Sequence, residues 1–182
     1  MKKVAVYLAE GFEEIEALTT VDILRRGDIE VDLVAVGENL QVTGAHNIKV
    51  VADILIKDIS HEVYKMMVLP GGMPGTLNLD SSDTLKKQII DFDLEEKYIG
   101  AICAAPLVIG KMGFLEDRQA TCYPGNQSHL FKAIYRDDLD VIVDGNFITS
   151  RGPGTAISFG LKLVELLRGE EVSKKLAIGL LV

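Results

Sequence analysis

Tyr98-Ile99-Gly100-Ala101-Ile102-Cys103-Ala104-Ala105-Pro106 is the stretch on which the fold turns. Apolar and β-branched residues run up to the cysteine, which is the pattern of a buried strand. Pro106 suits the first turn of a helix, where its missing N–H is not needed. The chain therefore passes from strand to helix within a few residues. Ala101 and Ala105, two positions to either side of Cys103, are small, as the tight turn of a nucleophile elbow demands. A sulfur placed there lies beside a helix start, whose free N–H groups and partial positive charge favour thiolate over thiol. Read without that context, Cys103 is a small buried core residue, as most free cysteines are.

Outward from this elbow, strands and helices alternate. Lys3–Leu8 reads as a strand, and Glu13–Arg26 as a helix with acids at its positive end and Arg25 and Arg26 at its negative end. Glu30–Val36, Ile48–Ala52 and Met66–Leu69 read as strands, and Ser82–Glu96 as a helix. After the cysteine helix, which Gly113 closes, Gln119–Cys122 reads as a further strand. Val141–Val143 and Phe147–Thr149, joined by Asp144-Gly145-Asn146, read as a hairpin. A helix then runs to about Arg168, and a short apolar helix lies near Leu176. Continuous apolar strands alternating with helices predict a parallel sheet covered on both faces, in one domain over residues 1–182. Such sheets bind ligands at the carboxyl ends of their strands, where Glu10–Glu16, Gly71-Gly72 and Cys103 all fall.

A reactive cysteine needs a stabilised thiolate and often donors for a developing oxyanion. Gly71 and Gly72 carry no side chain to obstruct their amides, and the N–H of Ala104 is a further donor, although Pro-Gly-Gly is equally the sequence of a simple turn. Glu13, Glu14 and Glu16 suit a helix start. On a helical wheel Ala17, Leu18, Val21 and Leu24 form the core stripe, with Glu16 off it beside Thr20 and Ile23, so spacing alone does not select Glu16. His46 and His129 read as surface residues, Cys122 as a core thiol, and Tyr123-Pro124-Gly125 as a turn.

Composition narrows the classes. The chain has 182 residues, 27 acidic against 19 basic, and a formal net charge of −8 without a dense basic run, which argues against nucleic acid. The apolar run near Met1 is too short for a signal peptide, and no segment is long enough to cross a bilayer, so a cytoplasmic protein is expected. Two cysteines make no disulfide framework there. Three scattered histidines without C-x-x-C or H-x-x-x-H spacing argue against a metal site.

Four segments then occur together and in order: Ala9-Glu10-Gly11-Phe12-Glu13-Glu14-Ile15-Glu16-Ala17, Val68-Leu69-Pro70-Gly71-Gly72, Ala101-Ile102-Cys103-Ala104-Ala105-Pro106 and Thr149-Ser150-Arg151-Gly152-Pro153-Gly154-Thr155. With these the chain resembles the ThiJ/PfpI superfamily, in the branch that contains the parkinsonism-associated protein deglycase. The resemblance covers nearly the whole length. It implies a flavodoxin-like three-layer α/β sandwich with a mostly parallel sheet, and a homodimer. By position, Cys103 matches the family's readily oxidised cysteine, and Glu16 the buried acid that contacts it. Gly71, Gly72 and Ala104 match amides around the pocket. Arg26 and His46 fall where basic residues lie near the dimer interface, His46 in place of a more usual arginine, and Tyr123 stands where some members carry histidine. Protease-like members carry histidine directly after the cysteine, where Ala104 stands here, and the later His-x-Glu of glutamine amidotransferases is missing.

The resemblance implies a cysteine-dependent glyoxalase or deglycase acting on methylglyoxal, glyoxal or their early adducts, with Cys103 as nucleophile, Glu16 as proton relay, and neither metal nor organic cofactor. The same activated sulfur suits a non-enzymatic redox sensor or stress-protective protein. An amidase or protease, or a role in thiazole monophosphate biosynthesis, ranks below both.

Overall fold

The computed structural model describes residues 3–182. Strand β1 (Lys3–Leu8) leads into α1 (Glu14–Arg26), and β2 (Glu30–Ala35) follows. Next come β3 (Gln41–Thr43), β4 (Lys49–Val51) and the short β5 (Ile54–Leu55). From β6 (Tyr64–Leu69) the chain enters α2 (Gly75–Asp80) and α3 (Asp83–Leu94), and from β7 (Tyr98–Ile102) it enters α4 (Pro106–Lys111). The remainder comprises β8 (Gln119–Ala120), β9 (Ile134–Tyr135), β10 (Val141–Asp144), β11 (Phe147–Ser150), α5 (Ala156–Arg168) and α6 (Glu170–Leu180).

Seven strands form one sheet in the order β10-β11-β7-β6-β1-β2-β5. Every pairing in it is parallel except the β10–β11 hairpin. Alternate residues of β1 point to opposite faces, as the two-residue strand period requires. Val4, Val6 and Leu8 join a core with α1 and α5, whereas Ala5 and Tyr7 join one with α2, α3 and α4. The result is a mostly parallel sheet covered on both faces, as the alternating pattern predicts, and the flavodoxin-like three-layer α/β sandwich that the resemblance implies.

Helix α1 is set by its ends. The Glu13 side chain caps it, accepting from the Glu16 N–H at 2.7 Å, and Arg25 and Arg26 occupy its last turn. Its outer flank meets α5 closely because α5 carries Gly160 at the crossing. A β-carbon there would lie about 3.0 Å from the Ile23 side chain. This crossing corrects the wheel reading of α1. Glu16, Thr20 and Ile23 are all fully or almost fully buried, and Leu18 is 36% exposed. An element packed on two sides buries a wider arc than one amphipathic stripe.

Three further sequence expectations are corrected. Residues around Ile48–Ala52 do form a strand, β4, but it pairs antiparallel with β3 in a separate ribbon, and β5 takes the sheet edge beside β2. The strand expected at Gln119–Cys122 is only β8, paired with β9 outside the main sheet. Helix α2 was not foreseen, because its start is hidden in the Pro70–Gly75 turn sequence.

Candidate active site

The carboxyl ends of β1, β6, β7 and β11 bring together the loops that carry chemistry. Backbone bonds tie them to one another: Glu13 N–H donates to the Gly71 carbonyl at 2.9 Å, and Gly75 N–H to the Gly11 carbonyl at 3.1 Å. At the end of β7, Cys103 adopts φ +66°, a left-handed conformation rare for a residue with a side chain. It is held there from both sides. Its N–H donates to the Ser150 carbonyl of β11 at 3.0 Å, and its own carbonyl accepts from the Tyr123 N–H at 2.7 Å. Cys103 is 8% exposed.

Glu16, from the first turn of α1, is fully buried beside it. Its Oε2 accepts from the Gly71 N–H at 2.7 Å. Its Oε1 has no nitrogen or oxygen partner among the described residues, and the carboxyl's other interaction is with the Cys103 side chain. Gly71 is wedged between the two. A β-carbon at this position would lie 2.7 Å from the Cys103 Cβ and 2.8 Å from Glu16 Oε2. Glycine is required there by close approach, not by turn conformation. Gly72, by contrast, has φ +92° and directs its N–H toward the Cys103 sulfur. The Gly71 amide is thus committed to positioning Glu16, leaving Gly72 and Ala104 as the donors facing the sulfur.

The electrostatics correct one sequence expectation. Burial and the Glu16 carboxyl push the Cys103 thiol up, while the Ala104 and Gly72 amides pull it down. Helix α4 begins at Pro106 and is 6 residues long, and the donors facing the sulfur are the Ala104 and Gly72 amides, whose pull burial and Glu16 outweigh. Burial also pushes Glu16 up, to about 7, against the opposing bonds from Cys103 and Gly71. Two negative charges in one dry site repel, so the pair carries at most one charge, and a thiolate forms only when Glu16 holds the proton.

The remaining sequence-selected residues are placed as follows. Tyr123, 49% exposed, packs its ring over Gly152, whose β-carbon would lie 3.2 Å from the tyrosine Cδ2. A pocket of about 440 Å³ opens over the sulfur, bordered by Met73, Ala104, Tyr123 and Asn126 among others. Asn126, just after the Tyr123-Pro124-Gly125 turn, was not singled out from the sequence. His46 Nδ1 lies 2.8 Å from Glu14 Oε2, and Arg26 Nε donates to Asp22 at 2.7 Å, so neither touches the Cys103–Glu16 pair. The Glu14 bond raises His46 above its ordinary value. Burial works to raise Glu14, but the His46 ring and the His46 and Ile48 amides hold it low. Glu13, Glu14 and His46 are the one set of metal-ligating atoms grouped within 4.8 Å among the described residues. Their oxygens are already engaged by the α1 cap and by His46 and Ile48.

A left-handed cysteine at the carboxyl edge of a parallel sheet, against a buried glutamic acid, defines an α/β protein of the cysteine-elbow class. Residues 2–166 match the family model described as the DJ-1/PfpI family, and the chain belongs to that family. It is 40% identical to Arabidopsis thaliana Protein DJ-1 homolog B over 93% of its own length, spanning 39% of that longer relative. It is 33% identical to the Schizosaccharomyces pombe protein named glutathione-independent glyoxalase DJ-1, over 94% of each chain. The crystal structure of Drosophila melanogaster DJ-1beta superposes with a TM-score of 0.95 at 36% identity, covering 100% of this chain and 98% of that one. No helix among the described residues is long and apolar enough to cross a membrane.

Proposed function

We propose that this chain is a glutathione-independent glyoxalase of the deglycase type, acting on methylglyoxal, glyoxal or their early adducts. The observation that carries the reading is the buried Cys103–Glu16 pair, held by a strained backbone and by the Gly71 amide. The glyoxalase name of the fission yeast relative supports the reaction class.

In this reading the Cys103 thiolate attacks the aldehyde carbon of methylglyoxal. The S–C bond forms as the C=O π bond breaks, and the new oxyanion takes the proton held by Glu16. The Ala104 and Gly72 amides stabilise the charge as it develops. Glu16, now ionised, removes the hydrogen from the former aldehyde carbon and returns it to the neighbouring carbon, while the hydroxyl proton passes to the ketone oxygen, converting the hemithioacetal into the thioester of lactate. Water then releases lactate and restores the pair, so methylglyoxal plus water gives lactate with no external oxidant or reductant. All steps use side chains and amides of this chain. A homodimer, with Arg26 and His46 near its interface, and a cytoplasmic setting belong to the same proposal.

The test is lactate formation from methylglyoxal by purified protein. Production that Cys103→Ser abolishes supports the enzyme. A second reading, a redox sensor, draws on the unpartnered Glu16 Oε1, which as O–H could donate to an oxygen added to the sulfur. No lactate, together with addition of two oxygens to Cys103 by peroxide, would favour the sensor.

A further inference from the structure

The pocket over Cys103 is lined without a single charged side chain, although the chain as a whole is rich in them. Beyond Cys103, the residues bordering it that carry polar side-chain groups are Tyr123, with a hydroxyl, and Asn126, with an amide. Both lack a partner for those groups among the described residues, yet both are held firmly by main chain. The Tyr123 N–H donates to the Cys103 carbonyl at 2.7 Å, and the Asn126 N–H donates back to the Tyr123 carbonyl at 3.1 Å, closing a turn through Gly125 at φ +99°. The Asn126 carbonyl in turn accepts from His129 N–H at 2.9 Å.

Asn126 precedes a short 3₁₀ turn, Gln127–His129, at the position where asparagine ordinarily spends its side chain on a cap. Here it makes no such bond. The job of tying up the local amides falls to Gln127, whose Oε1 accepts from Gly125 N–H at 2.7 Å. A half-buried amide on a fixed backbone, released from capping and bordering the nucleophile's pocket, is placed to bind a ligand.

We infer that Asn126 is a specificity-determining residue that donates its side-chain N–H to the second oxygen of a 2-oxoaldehyde whose aldehyde carbon is bonded to Cys103. This inference rests on reading Cys103 as a nucleophile toward carbonyl carbon. In the addition, the thiolate supplies the electron pair, the aldehyde oxygen takes the proton held by Glu16, and the adjacent ketone oxygen stays intact, accepting from Asn126. A monoaldehyde has no such oxygen and gains nothing from the amide. The neutral wall sets the class further, because an anionic substituent would find no counter-charge there.

The experiment measures how well aldehydes protect Cys103 from iodoacetamide, in wild type, Asn126→Ala and Asn126→Leu. Methylglyoxal is compared with propanal, and lactate is assayed in parallel. Losing one donor should raise the methylglyoxal concentration for half-protection about ten-fold in both variants. Propanal protection and the unprotected alkylation rate should change less than about two-fold, the latter showing that fold and thiol are intact. If methylglyoxal and propanal shift together, or neither shifts, Asn126 does not read the second oxygen. Selective loss of methylglyoxal protection in a protein that makes no lactate keeps this inference and removes the glyoxalase reading. Lactate formation without selective loss does the reverse. Failure of methylglyoxal to protect wild type, with no lactate formed, removes both.

Discussion

Two cysteines lie a short distance apart in this fold, and both are free and buried. Burial pushes both thiols up, Cys122 to about 11 with burial as its only cause. They differ in what surrounds the sulfur. Cys122 sits among apolar side chains of the α2–α4 core. Cys103 has a left-handed backbone, a proton-sharing carboxyl and two amides directed at it. Low exposure therefore says nothing about reactivity here. What separates a nucleophile from a core residue is a partner that can take up the proton when the sulfur ionises.

The sharpest way to break this contrast is to remove each sulfur in turn. Cys103→Ser should lower kcat/KM for methylglyoxal by about a thousand-fold or more, because the hydroxyl is a far weaker nucleophile at neutral pH. Cys122→Ala should change it less than two-fold, with roughly 1 kcal/mol lost in denaturant unfolding for the vacated volume. Comparable losses in the two variants would erase the distinction.

The next largest effect tests the shared proton. Glu16→Gln keeps the shape but loses the relay, and should slow turnover about a hundred-fold. The pH at which iodoacetamide alkylates Cys103 at half its maximal rate should also change. If both readouts match wild type, Glu16 is only a buried spacer.

Stability offers a third handle. A carboxyl raised in the folded state to about 7 stabilises the protein fully below its ordinary value of 4.5, and loses that contribution as pH climbs through 7. The difference amounts to on the order of 3 kcal/mol. Wild type should therefore lose stability relative to Glu16→Gln between pH 4.5 and pH 8, measured by denaturant midpoints. A gap that stays constant with pH would show that Glu16 is ionised throughout.

At the pocket wall a small effect is expected for Tyr123→Phe, less than about three-fold in kcat/KM, because the residue holds Cys103 through its main-chain N–H. A loss approaching that of Cys103→Ser would make the hydroxyl part of the chemistry.

Much of this was legible in the sequence because it is local. Strands β1, β6 and β7, the elbow at Cys103 and the β10–β11 hairpin all follow from short-range patterns. Glu16 was not legible from spacing, since its surroundings include Gly71 after β6 and Cys103 after β7, both far away in sequence. It was found by resemblance to the family. The β3–β4 ribbon misled because an apolar run does not reveal which neighbour it will pair with. Gly71 looked like a donor for substrate, and only the fold revealed that Glu16 already uses its amide. Asn126 escaped altogether, because nothing in the sequence around it marks a side chain that the fold leaves unused.

The strained elbow is clamped by peptide groups, from Ser150 on one side and Tyr123 on the other. Since every amino acid but proline can supply the second clamp, position 123 is free to exchange its side chain without displacing the sulfur. That wall of the pocket can thus be remodelled while the reacting atom stays where it is.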